Sequence, residues 1–167
     1  MQYAYKGTTP RIAASARLFE GARVIGDVTL GERVGVWYNA VIRGDMAPVT
    51  IGDETNVQDG VIIHTNTDLP TIIGHGVTIG HNAIIHAATV GNEALIGMGS
   101  IILDGATVGD YALVAAGCTV PPGKTVPARH LAVGNPMKVV RELSDEEVEG
   151  IRKNTAYYVG LLEDYDA

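Results

Sequence analysis

Aliphatic residues recur six apart at Ile84, Val90, Ile96, Ile102, Val108, Val114 and Val120. That period matches neither the 3.6 of a helix nor the two-residue alternation of an ordinary strand. Glycine follows many such positions: Val90-Gly91, Ile96-Gly97 and Val108-Gly109, and earlier Ile25-Gly26, Leu30-Gly31, Ile51-Gly52, Ile73-Gly74 and Ile79-Gly80. A repeat of aliphatic-Gly-x-x-x-x predicts a parallel β-helix, in which each short strand turns one branched side chain inward and small residues round the corners. Three sides make a coil of about 17 or 18 residues, and Gly74 to Gly91 is 17 while Gly91 to Gly109 is 18. The longer intervals from Gly31 to Gly52 (21) and from Gly52 to Gly74 (22) predict inserted loops, one of them at Asn66–Pro70. So narrow a coil has no room for stacked rings, in keeping with an aromatic content of 5%.

The reading is mainly β, a single domain over 1–167 with coils from about 10 to 122. A loop over 123–143, through Pro127 and Pro136, then leads to a C-terminal helix over 144–163. Ser144 and Glu147 have the spacing of a capping box, and Val148, Ile151, Tyr158 and Leu162 form a stripe that would pack the helix on the side of the coils.

Charge and cysteine usage narrow the function. A formal net charge of −7 disfavours nucleic acid and anionic membranes as partners. A single cysteine, Cys118, excludes an intrachain disulfide and a cysteine-based zinc cluster, so a metal would be held by histidine or carboxylate. No run of about 18 apolar residues occurs, and the start Met1-Gln2-Tyr3-Ala4-Tyr5-Lys6 lacks the build of a signal peptide. The expectation is a cytoplasmic protein without a membrane partner.

Laying the coils on one another by their Ile-Gly pairs aligns Ile51–His64 with Ile73–His86 without a gap, so His64 and His86 share a column. Adjacent coils lie ~4.8 Å apart, which brings two stacked imidazoles within reach of one metal. Arg43 falls in the same column one coil earlier. His81 falls in a different column, above Asp59, and its odd separation from His86 points the two side chains to opposite faces. If all three histidines bind one metal, His81 comes from a neighbouring subunit. A three-sided prism with one such contact repeats as a ring of three, which predicts a homotrimer with intersubunit metal sites. Three histidines and no cysteine suit a catalytic zinc-type site with a fourth position left to water.

Arg43-Gly44-Asp45, Asn56-Val57-Gln58-Asp59, His64, the run from Ile79 through His81 to His86, and the run from Gly134 to Arg141 together closely resemble the γ-class carbonic anhydrase family. The resemblance covers about residues 10–165 and implies a left-handed β-helix. It also implies a trimer with zinc, or iron or cobalt, at each subunit interface. It casts His64 and His86 as ligands from one subunit and His81 as the ligand from the next. Gln58 is implied to orient a metal-bound hydroxide that attacks carbon dioxide to give bicarbonate, with Asn56 supporting Gln58. Tyr158 matches a tyrosine placed near the site, or packs the helix on the coil. Arg43, Asp45 and Asp59 read as a charge network across the interface. Family members carry a glutamate after Arg-x-Asp and an acidic loop beyond the first histidine, where this chain has Met46 and Asn66–Pro70. Asp68 or buffer is then left to carry the proton. The competing readings are a metal-dependent thioesterase, a coenzyme A-dependent hexapeptide acyltransferase, and a non-catalytic metal-binding trimer.

Overall fold

The computed structural model describes residues 1–165; the last two residues of the expected 1–167 span lie outside the described residues. The chain winds as a left-handed parallel β-helix, a three-sided prism with one α-helix on its flank. One side is a parallel ladder through Gly35–Val36, Asn56–Val57, Thr78–Ile79, Leu95–Ile96 and Leu113–Val114. A second runs through Ile62–His64, Ile84–His86, Ile101–Ile102 and Thr119–Val120. The third runs through Thr71–Ile73, Thr89–Val90, Thr107–Val108 and Thr125–Val126, and the long strands Arg23–Leu30 and Val41–Ile51 bend around the corner between these last two sides.

Each short strand of these three ladders sends one branched aliphatic residue inside. Ile79, Ile96 and Val114 line one wall, Ile63, Ile85 and Ile102 the next, and Ile73, Val90 and Val108 the third, all essentially sealed from solvent. Burying one such side chain contributes roughly 1.5–3 kcal/mol. Six of the seven residues in the sequence register face inward. Ile84 does not: it is 36% exposed, and Ile85 takes the inward place. The corner after Ile85 is one residue short, because Ile85 and Val90 are five apart where Ile102 and Val108 are six apart.

The coils reach further than expected. Gln2–Tyr3 already pairs with the Arg23–Leu30 strand, and the span 123–143 is not a loop but holds strands Thr125–Val126, His130–Val133 and Lys138–Glu142. The six-residue frame simply continues from Val120 to Val126 to Ala132, all fully buried. Pro121-Pro122-Gly123 forms the same corner as Leu103-Asp104-Gly105 one coil earlier, with Gly123 and Gly105 at φ 66° and 68°. Lys138–Glu142 then folds back antiparallel on His130–Val133.

The helix spans Asp145–Asp164, with the capping box formed by Ser144 and Glu147. Val148 and Ile151 pack with Leu143 on the outward leucines Leu95, Leu113 and Leu131, and Leu162 packs on Phe19 and Trp37. Its whole stripe therefore lies on the side of the prism that carries Asn56–Val57 and Thr78–Ile79.

Candidate metal centre

One corner of the prism breaks the repeat on three successive coils. Inward residues across it are six apart from Ile102 to Val108 and from Val120 to Val126, but nine from Ile42 to Ile51, ten from Ile63 to Ile73 and five from Ile85 to Val90. His64 and His86 each follow the last inward residue before this corner. They are paired in register across the parallel ladder, as the column alignment required.

Their rings face each other, with His64 Nδ1 3.1 Å from His86 Nε2. A carboxylate backs each ring: Asp45 Oδ1 lies 2.9 Å from His64 Nε2, and Asp104 Oδ1 2.5 Å from His86 Nδ1. Burial pushes the Asp45 carboxyl up, but hydrogen bonds from His64 and Arg43 outweigh it and hold the group below the usual carboxylate range. Asp104 is held low by the Asn66 amide and then by the His86 ring. An ionised carboxylate only accepts, so the backed nitrogens carry the protons. In its neutral form each ring then offers the other a lone pair, and two such nitrogens in one column can share a single cation. Two zinc–nitrogen bonds of about 2.0–2.1 Å at a tetrahedral angle set their nitrogens about 3.3 Å apart, close to the observed spacing. The donor set therefore fits a divalent metal, with carboxylates behind the ligands in the usual outer arrangement.

Arg43 continues the same column, since Ile42 pairs with Ile63, and its guanidinium forms an ion pair with Asp45. The expected network member Asp45 thus serves His64 within its own chain. Asp104 and Asn66 escaped the sequence reading; Asn66 Nδ2 donates to Asp104 Oδ2 at 2.7 Å. Their one signal was position, since Asp104 stands in a corner turn next to the histidine column and Asn66 in the inserted loop, which closes on itself by paired bonds between Asn66 and Leu69.

The other candidate residues gather on the helix-bearing side. His81 follows Thr78–Ile79, and its Nδ1 lies 2.8 Å from Asp59 Oδ2. Gln58 is buried, accepts from the His81 backbone N–H at 3.2 Å and donates to Asn56 Oδ1 at 3.0 Å. Tyr158 packs edge-on against Trp37, with ring centres 5.7 Å apart, so it holds the helix to the coil. It also lines a cavity of about 440 Å³ together with Gln58, His81, Met98, Leu113 and Asn154. Burial, then the Asp59 charge, raises its phenol above the ordinary value. Among the described residues of this one chain, no group of three or more His, Cys, Asp or Glu side chains is arranged to hold a metal. His81 stands with Asp59 and Gln58, apart from the His64–His86 pair.

The chain matches the family of bacterial transferase hexapeptide proteins (six repeats) over residues 87–122. Over 167 residues it is 50% identical to a protein named carbonic anhydrase from Geobacillus kaustophilus, covering 100% of this chain and 92% of that one. It is 39% identical over 161 residues to the mitochondrial gamma carbonic anhydrase 2 of Arabidopsis thaliana, covering 93% of this chain and 58% of that one. A solved Bacillus cereus chain, whose name assigns it provisionally to the acetyltransferases, superposes with a TM-score of 0.97 at 43% identity, covering 98% of this chain and 95% of that one.

Proposed function

Because the chain belongs to the γ-class carbonic anhydrase family, we propose that it reversibly hydrates carbon dioxide to bicarbonate at metal sites shared between the subunits of a homotrimer. The observation that carries this reading is the facing pair of ring nitrogens on His64 and His86, each ring backed by a carboxylate at its other nitrogen. Two histidines leave a metal short of the three protein ligands of a catalytic site. The remaining candidate, His81, lies on another side of the prism with Asp59 against its Nδ1, which leaves Nε2 as the nitrogen it could offer a metal. A neighbouring chain is then the source of the third ligand. Support for such docking comes from an outward apolar ladder of Val41, Ile62, Ile84 and Ile101 on the strands that lead into the Arg43, His64 and His86 column. Ile62 and Ile84 stand 38% and 36% exposed in the single chain.

Zinc, or iron or cobalt in its place, supplies Lewis acidity when bound, which makes hydroxide available near neutral pH. The chain's residues then orient the reactants. Gln58 keeps one amide hydrogen and one carbonyl lone pair unspent beside His81, and these are suited to fix the direction of an attacking oxygen. Asn56 holds Gln58 in place. Met46 follows Asp45 without a carboxylate of its own, so proton export falls to Asp68 or to buffer.

The test is stopped-flow carbon dioxide hydration with protein loaded with zinc and, anaerobically, with iron, beside His81→Ala. A rate well above that control supports the reading, and His81→Ala should lower metal stoichiometry. No rate with either metal at full occupancy overturns it. The apolar lining of the cavity beside His81 favours one second reading, hydrolysis of an acyl thioester at the same metal site. Acyl transfer from coenzyme A needs one histidine as base and leaves the carboxylate-backed pair without a role.

A further inference from the structure

A hydrogen-bond chain runs from the His81 backbone into the C-terminal helix, and its direction is fixed at both ends. The His81 N–H donates to Gln58 Oε1 at 3.2 Å, Gln58 Nε2 to Asn56 Oδ1 at 3.0 Å, and Asn56 Nδ2 to Thr78 Oγ1 at 2.9 Å. Thr78 Oγ1 lies 3.2 Å from both Asn154 Oδ1 and Thr155 Oγ1. Thr155 in turn donates to the carbonyl of Gly76 at 3.0 Å. That carbonyl can only accept and the His81 N–H can only donate. Thr155 therefore has no proton left for Thr78, so the single proton of Thr78 goes to the helix and its lone pairs face Asn56. Asn56 then presents its amide nitrogen to Thr78 at 2.9 Å, with a longer contact of 3.5 Å to the Val77 carbonyl, which turns its oxygen to Gln58. The orientation of the Gln58 amide follows.

We infer that Thr78 is a positioning residue for Gln58, itself held by Asn154 and Thr155 of the C-terminal helix. Asn56, Thr78 and Thr155 are buried, so a donor or acceptor left unspent on any of these three finds no water to satisfy it. The helix thereby belongs to the site through chemistry as well as packing. That Gln58 works on the reacting oxygen rests on the function proposed above; that the chain orients Gln58 does not.

The sequence supplies a clean probe, because its only glutamines are Gln58 and the exposed Gln2. With ¹⁵N-labelled glutamine, the side-chain amides of the full protein give two pairs of resonances, with Gln2 as internal reference. Thr78→Val keeps the shape of the side chain and removes the hydroxyl. It should shift the Gln58 pair and speed its hydrogen exchange at least tenfold while Gln2 stays in place. It should also lower kcat for carbon dioxide by roughly 10- to 100-fold with little change in KM. Thr78→Ser should restore the wild-type spectrum and rate. The double variant Asn154→Ala/Thr155→Val should reproduce the Thr78→Val spectrum, and it carries the test if Thr78→Val fails to fold. Unchanged Gln58 resonances and exchange in the folded variants overturn the inference. Altered resonances with no hydration activity in any form, wild type included, leave the inference standing and remove the proposed function.

Discussion

Asp104 decides which nitrogen of His86 carries the proton, and no pattern in the repeat announced it. In the structure it accepts from both His86 and Asn66, so its charge and its position are both committed. Asp104→Asn keeps the shape but lets an amide face the ring, weakening the preference for a proton on Nδ1. Zinc affinity should fall by roughly 10- to 100-fold, measured by competition with a chromogenic chelator. Asn66→Ala keeps the carboxylate and should have a smaller effect in the same direction. Equal affinities for wild type and Asp104→Asn would show that the carboxylate does not tune the ligand. The two histidines themselves were legible, since a shared column in a parallel ladder needs only correct coil alignment. Asp45 was legible as a charged partner of Arg43 but not as the group behind His64, and Asp104 was not legible at all, because a carboxylate in a turn is more often there for the turn.

At the level of elements, the capping box was readable as a pair of residues three apart, and it carries its own pH signature. Arg141 grips Glu147 with two hydrogen bonds of 2.8 and 2.7 Å, and the Ser144 N–H donates to the same carboxylate. Together they hold Glu147 at about 2, below its ordinary 4.5. A depressed carboxyl contributes stability that is fully present above the ordinary value and is lost as pH falls through the lowered one. The difference in melting temperature between wild type and Glu147→Gln should therefore be constant above pH 4.5, shrink below it and vanish near pH 2, as read by the helical circular dichroism signal. A pH-independent difference would mean that the carboxylate acts by shape alone. The coils were legible for the same local reason, since a six-residue frame needs no tertiary information. The frame failed where a residue is missing after Ile85 and was cut short at Pro121-Pro122, where prolines read as an ending in fact round another corner. The true departures from period, from Ile42 to Ile51, Ile63 to Ile73 and Ile85 to Val90, lie at the corner that holds the histidines, so the irregular coils, more than the regular ones, mark the candidate site.

At the scale of the whole molecule, the prism separates the residues that the proposed chemistry needs together. His64 and His86 lie on one side and His81 with Gln58 on another. A rigid β-helix cannot bend to unite them, so on the proposed function a neighbouring chain would supply His81, and assembly and metal binding would be one equilibrium. The outward ladder through Ile62 and Ile84 leads directly into the histidine column. Ile84→Glu places a carboxylate on that ladder while leaving the inward Ile85 untouched. An unpartnered carboxylate in an apolar contact costs several kcal/mol, and each chain already carries a net charge of −7. The expected outcome by sedimentation velocity is a monomer that keeps its circular dichroism spectrum and loses tightly held zinc. A trimer with full zinc would remove this face from the contact. A monomer with full zinc would place the whole metal site within one chain and leave His81 without a role in it.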